Sequence, residues 1–157
     1  LTAFLGAWVI GRFEDTIQQL VALAVLMPVV AGMGGIAGSQ TLTIAIRGIA
    51  LGQIAKTNVK PLLIKELSIG ILNGIFWSCV VAIVVILWFG KLSLGIIIGA
   101  SMIINLIIAA LAGATIPIIL KRYGIDPAIA GGVILTTVTD VVGFVTFLGL
   151  ATIFLLS

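Results

Sequence analysis

The sequence predicts an all-α, polytopic membrane protein, and three observations carry that prediction. Hydrophobic residues make up 62% of the 157-residue chain and charged residues 8%, with a mean hydropathy of +1.42; a soluble domain of this size has no interior able to hide that much apolar surface. The apolar residues come in uninterrupted runs of spanning length, where a crossing needs about 20. The basic residues fall in the short connections between the runs, unevenly distributed.

Taken in order, the runs predict helices over about 1–12, 17–46, 67–89, 92–120 and 128–156. The first is too short to cross, rising about 17 Å against a hydrocarbon core of about 30 Å, and it opens on Leu1. We read it as the distal half of a helix that starts upstream, giving five membrane helices per subunit in a single pore domain spanning 1–157. Pro61 rules out one uninterrupted helix through the long second connection. Asp126-Pro127 is a helix start, with Asp as cap and Pro in the first turn, so the fifth helix begins there.

Orientation follows from Lys and Arg. The second connection holds Arg47, Lys56, Lys60 and Lys65 and the fourth Lys121 and Arg122, while the first has Arg12 and the third Lys91. This bias puts connections two and four in the cytoplasm, in a cell membrane crossed several times, and the C-terminus at Ser157 outside. Trp8 and Trp88 then fall near the outer boundary and Tyr123 near the inner one, where amphipathic rings settle.

Composition also excludes functions. There is no His and a single Cys, Cys79, so neither an intrachain disulfide nor a zinc, copper or haem ligand set is available, and Ser-His-Asp and Cys-His catalysis are out. The glycines at 32, 34, 35 and 38 are followed by no Lys and sit in a hydrophobic helix, unlike a phosphate loop. The net charge of +3 marks topology instead of nucleic-acid binding, since no basic stripe with interleaved aromatics exists. No enzyme chemistry is expected.

Asp140 is the one charged residue of the last run and lies near its middle. A carboxylate at the bilayer centre costs about 2.5 kcal/mol or more unless something offsets it. No Lys or Arg lies inside any run, which leaves a permanent proton, a water-filled pathway or a bound cation. Thr136 and Thr137 stand one turn before Asp140 and Gly143 one turn after, a small and polar face. All the donors on offer are oxygen, which suits hard cations: Mg²⁺, Mn²⁺ or Ca²⁺.

The second helix is the natural opposite wall. Gly32, Gly35, Ser39 and Thr43 recur at helical spacing, and Pro28 removes an interior hydrogen bond just before the glycines, which points to irregular helix with accessible carbonyls. Close helix packing alone also explains such a seam. Seam and acid together read as a pore wall, and a two-fold dimer that brings two Asp140 carboxylates to one axis balances a divalent ion. Asn73, Ser78, Ser101 and Asn105 are read as interhelical hydrogen-bond glue.

These stretches carry a resemblance. PVVAGMGGIAGSQTLT from Pro28, RGIALGQI from Arg47, KELSIGILNG from Lys65, AGATIPIILKRYGIDPA from Ala112 and TTVTDVVGF from Thr136 together resemble the transmembrane domain of the MgtE family of magnesium channels. The resemblance implies a homodimer with five membrane helices per subunit and a central pore at the two-fold axis, lined by the second and fifth helices. It implies that Asp140 holds hydrated Mg²⁺, with backbone carbonyls near Gly32 and Thr136 contributing through water, and that Gly35, Ile36, Ser39, Thr43, Thr137 and Gly143 line the path. It also implies membrane lipids as surroundings and a cytoplasmic regulatory portion ahead of the first helix. One departure stands out: the family's GGNAG reads GGIAG here, so Ile36 replaces an amide able to hydrogen-bond ion-bound water. Gln53 stands where an acid is often found.

Channel-like transport of Mg²⁺ is therefore the expected function. The alternatives are a proton- or Na⁺-coupled secondary cation transporter, whose signature is a broken helix at midplane, and a non-conducting membrane anchor, which leaves the acid without a purpose.

Overall fold

The computed structural model describes residues 2–54 and 58–155. Lys56 and the chain end at Ser157, both used above for orientation, lie outside the described residues. Six helices follow one another, α1 (Thr2–Gly11), α2 (Glu14–Gln19), α3 (Ala22–Ala50), α4 (Val59–Phe89), α5 (Leu92–Arg122) and α6 (Pro127–Leu155), with no strand among the described residues. Four of them, α3 to α6, are long and apolar enough to cross a membrane.

The helices overrun the apolar runs because a charge ends the hydrocarbon, not the helix. At 31 residues α4 is about 46 Å long, well beyond a core of about 30 Å, so its first turns, with Lys60, Lys65 and Glu66, extend past the apolar part. Pro61 sits in the first turn of α4, where a missing N–H is tolerated. Connections are tight. Gly90 ends α4 with φ 66°, a left-handed value that a side chain resists, and its N–H reaches the Ile86 carbonyl at 2.8 Å. Gly124, φ 72°, turns the chain out of α5. Asp126 Oδ1 then accepts from the Ala128 N–H at 2.9 Å, so this acid is a helix cap.

Two features depart from the sequence reading. The run over 17–46 is not one helix: α2 ends at Gln19, Leu20 is extended at φ −140° and ψ 86°, and α3 begins afresh. The Thr16 and Thr152 hydroxyls, 2.8 Å apart, tie α2 to α6. Pro28, in turn, does not break α3, which continues unbroken from Ala22 to Ala50. The cost of a proline is confined to one lost hydrogen bond and a crowded carbonyl four residues back, which a helix packed against neighbours survives.

At the centre is α5, whose buried positions run from Leu94 to Leu120 and which packs against α3, α4 and α6. Small residues allow these crossings. A Cβ on Gly113 would stand 2.6 Å from the Gly38 carbonyl, and one on Gly70 2.8 Å from the Ala110 methyl. Two apolar clusters result. One gathers Leu23, Leu26 and Val30 of α3, Leu94, Ile98 and Met102 of α5, and Phe147 and Leu148 of α6; the other gathers Leu42, Ile116, Leu120 and Leu135. Between the clusters Gly34 of α3 and Gly143 of α6 both face the Asn105 side chain of α5, and Gly38 faces the Leu135 side chain of α6. The outer side of α4 presents Leu72, Phe76, Ile83, Leu87 and Trp88, all exposed on the protomer, as expected of a lipid-facing helix.

Candidate cation site on the α3 and α6 face

α3 and α6 run antiparallel in one register. Facing positions are Val30 with Gly143, Leu135 with Gly38 and Leu42 with Gly131, where a Cβ added to the glycine would stand 3.4, 3.0 and 3.2 Å from the side chain opposite. Continuing that register puts Asp140 level with Met33, between Gly32 and Gly34, and Thr137 level with Ile36. Helical periodicity then separates two faces of α3. Gly34, Gly38, Thr41 and Leu42 are buried against α5 and α6, whereas Gly32, Ile36, Ser39 and Thr43 are exposed. At Gly32 and Gly35 an added Cβ would meet nothing within 4 Å.

On α6, Thr136 is exposed, Thr137 and Asp140 are half-buried, and Thr139 and Gly143 are buried. The open face therefore unites Gly32, Gly35, Ile36, Ser39 and Thr43 of α3 with Thr136, Thr137 and Asp140 of α6. Gly143 is not on it. Its hydrogen side faces the Asn105 amide, where a Cβ would come within 2.9 Å of Nδ2, so this glycine serves helix packing behind the acid.

The hydroxyls mostly bond back to their own helices. Ser39 donates to the Gly35 carbonyl at 2.6 Å and Thr43 to the Ser39 carbonyl at 2.8 Å; Thr136 donates to Gly132 at 2.9 Å and Thr137 to Val133 at 2.8 Å. Each hydroxyl spends its proton on its own helix and keeps acceptor capacity on its oxygen, which suits an aqueous cation. The Thr136 carbonyl is less available, since it accepts from the Thr139 hydroxyl at 3.1 Å besides the helical N–H. The Thr136 hydroxyl is the freer oxygen at that position. Ile36, 60% exposed, puts a branched apolar side chain among these polar groups.

No group of three or more His, Cys, Asp or Glu is found among the described residues. A single protomer thus brings one carboxylate, backbone carbonyls and hydroxyls, too little charge to strip a divalent ion of its water.

A second polar place is not legible in the sequence. Glu66 of α4 is buried, and its Oε2 accepts from the Thr41 hydroxyl at 3.2 Å across to α3. Beside it is a cavity of about 150 Å³ that Gln40, Lys65 and Asn73 also line. In the sequence Lys65 and Glu66 mark a boundary by charge alone; burial of one and not the other depends on which side of α4 packs.

Comparison with known proteins places the chain in a family. The family model described as MgtE, divalent cation transporter, matches residues 27–150. The chain belongs to the MgtE family. Relatives named magnesium transporter MgtE include one of Bacillus subtilis, 40% identical over 149 residues, which are 95% of this chain and 33% of that protein. Another, of Enterococcus faecalis, is 32% identical over 155 residues, 97% of this chain and 34% of the relative. A third, of Thermus thermophilus, is 30% identical over 155 residues, 99% and 34% respectively. The chain thus spans about a third of the length of the curated MgtE relatives it matches. Both α3 from Met27 onward and α6 as far as Leu150 fall within the matched MgtE region, so the whole open face belongs to it.

Proposed function

We propose that this chain is the membrane part of a Mg²⁺ transporter in which two copies form a channel-like pore, lined by α3 and α6, with Asp140 holding a hydrated cation. The observation that carries this reading is the open face itself. An acid near the middle of a spanning helix sits level with Gly32 and Gly34, beside a row of hydroxyl oxygens, on a side of the protomer left exposed among the described residues. In lipid such a face is unfavourable because of its carboxylate, which costs about 2.5 kcal/mol or more at the bilayer centre, the hydroxyls being already bonded to their own helices. A second copy related by a two-fold axis covers it and brings a second Asp140, so that two negative charges balance one divalent ion. The relatives' name, magnesium transporter, supports Mg²⁺ as the cargo.

With so few charges the ion keeps its water, and the protein reads the hydrated ion through acceptors: the carboxylates, the hydroxyls of Ser39, Thr43, Thr136 and Thr137, and carbonyls near Gly32. Gly32 and Gly35 supply width because they carry no side chain. Ile36 offers ion-bound water no partner, so selection of Mg²⁺ over Mn²⁺ and Ca²⁺ rests on the remaining oxygens. Both pore helices are continuous, whereas a coupled transporter with alternating access is built on interrupted helices at midplane.

The test is stabilisation by metal. Ligand binding to the folded state raises its stability by mass action, about 2.7 kcal/mol at a hundred times Kd. Purified protein should melt higher as Mg²⁺ is added, and Asp140→Asn, which keeps the volume and removes the charge, should lose the shift. A shift undiminished in Asp140→Asn would move the site elsewhere.

A further inference from the structure

We propose that Asn105 is a positioning residue for this site, pinning both pore helices to α5 at the level of Asp140 and so setting the spacing of the oxygens that read the hydrated ion. The inference rests on the cation-site reading above and extends it to a residue that does not touch the ion.

Asn105 lies on α5 and is completely buried. Its Nδ2 donates to the Val30 carbonyl of α3 at 2.8 Å. The amide also fills a slot between two glycines: a Cβ on Gly34 of α3 would overlap it, and one on Gly143 of α6 would stand 2.9 Å from Nδ2. Gly143 is one helical turn beyond Asp140, and Gly34 is next to the residue level with Asp140 in the α3 and α6 register. One side chain therefore touches both walls directly behind the acid.

The amide is not explained by packing alone. Its Oδ1 is buried and accepts no hydrogen bond among the described residues, an unfavourable state that a small apolar side chain would avoid. What only the amide supplies is a directional bond from the central helix to a backbone carbonyl of the wall opposite Asp140. Groups that orient the ligands of a metal without touching it typically govern affinity by about tenfold or more.

The experiment compares metal-free melting, the Mg²⁺ concentration giving half-maximal thermal stabilisation, and Mg²⁺ against Ca²⁺ flux in proteoliposomes, all on the full chain. For Asn105→Ala we expect half-maximal stabilisation to need about tenfold more Mg²⁺ and the preference between the two ions to shrink. Gly34→Ala should lower metal-free melting, and adding Asn105→Ala should restore melting, because the clashing amide is gone, while the Mg²⁺ response stays weak. That separation of stability from affinity is what a packing role does not produce. Wild-type Mg²⁺ response and ion preference in Asn105→Ala would overturn the proposal. Should Asn105→Ala not fold, Asn105→Ser and the Gly34→Ala/Asn105→Ala double variant give the same readings, and failure of all three to fold would assign Asn105 to folding alone. Asp140→Asn distinguishes the two levels. Loss of the Mg²⁺ response there with normal Asn105 variants defeats only the positioning role, whereas survival of the response in Asp140→Asn defeats the site itself.

Discussion

Asp140 and Glu66 are both carboxylates within long apolar helices, and their surroundings divide them. Asp140 borders the open face, while Glu66 is buried and takes a hydrogen bond from Thr41. For Thr41→Val we predict a loss of about 1.5–3 kcal/mol in stability, because the isosteric change strips a buried carboxylate of its only side-chain donor among the described residues. Chemical denaturation of the purified protein reads it, and an unchanged midpoint would mean that water in the adjoining cavity replaces the hydroxyl. Asp140 was legible in the sequence because a lone acid in an apolar run stands out whatever the packing. Asn105 was legible as an interhelical hydrogen-bond donor, which its bond to the Val30 carbonyl is; its partner, and the surroundings of Glu66 and Gly143, were not, since each depends on which side of its helix meets a neighbour. Periodicity put Gly143 with Asp140; the third dimension turned it inward.

Glycines at the level of the helix have two uses in this chain, and substitution should separate them. Gly35 faces open space, so Gly35→Leu should leave protomer stability nearly unchanged and stop flux by filling the pore wall. Gly113 meets the backbone of α3 at Gly38, so Gly113→Leu should destabilise by about 1–3 kcal/mol or prevent assembly of the bundle. Melting temperature and Mg²⁺ uptake measured on both variants check the pair. Equal uptake by Gly35→Leu and wild type would remove this side of α3 from the pathway. The apolar runs themselves announced α3, α4, α5 and α6. The break at Leu20 did not show, because nothing in that stretch is a helix breaker, and the Thr16 to Thr152 contact that ties α2 to α6 joins residues far apart in sequence. Pro28 looked like a break and is not one, since neighbouring helices hold α3 together through it.

For the whole molecule, the basic connections predict that Lys91 faces outward and that Lys121 and Arg122 face the cytoplasm. In a Cys79→Ser background, a cysteine put at position 91 should react with a membrane-impermeant thiol reagent applied to intact cells, and one put at position 121 only after the membrane is opened; the reverse pattern would invert the topology. Family membership and the helical, membrane-spanning character were legible from composition and from motifs spread along the chain. The proposed pairing of two protomers rests on charge accounting at Asp140 and on the resemblance to the MgtE family. The central claim, a divalent ion passing down its own gradient between two such carboxylates, is tested most directly by current. In voltage-clamped bilayers with equal pH and no Na⁺ on either side, we predict Mg²⁺ currents that reverse near the potential set by the Mg²⁺ gradient and vanish in Asp140→Asn. Transport that appears only when a pH or Na⁺ gradient is imposed would contradict it and make Asp140 the carrier of a coupling ion.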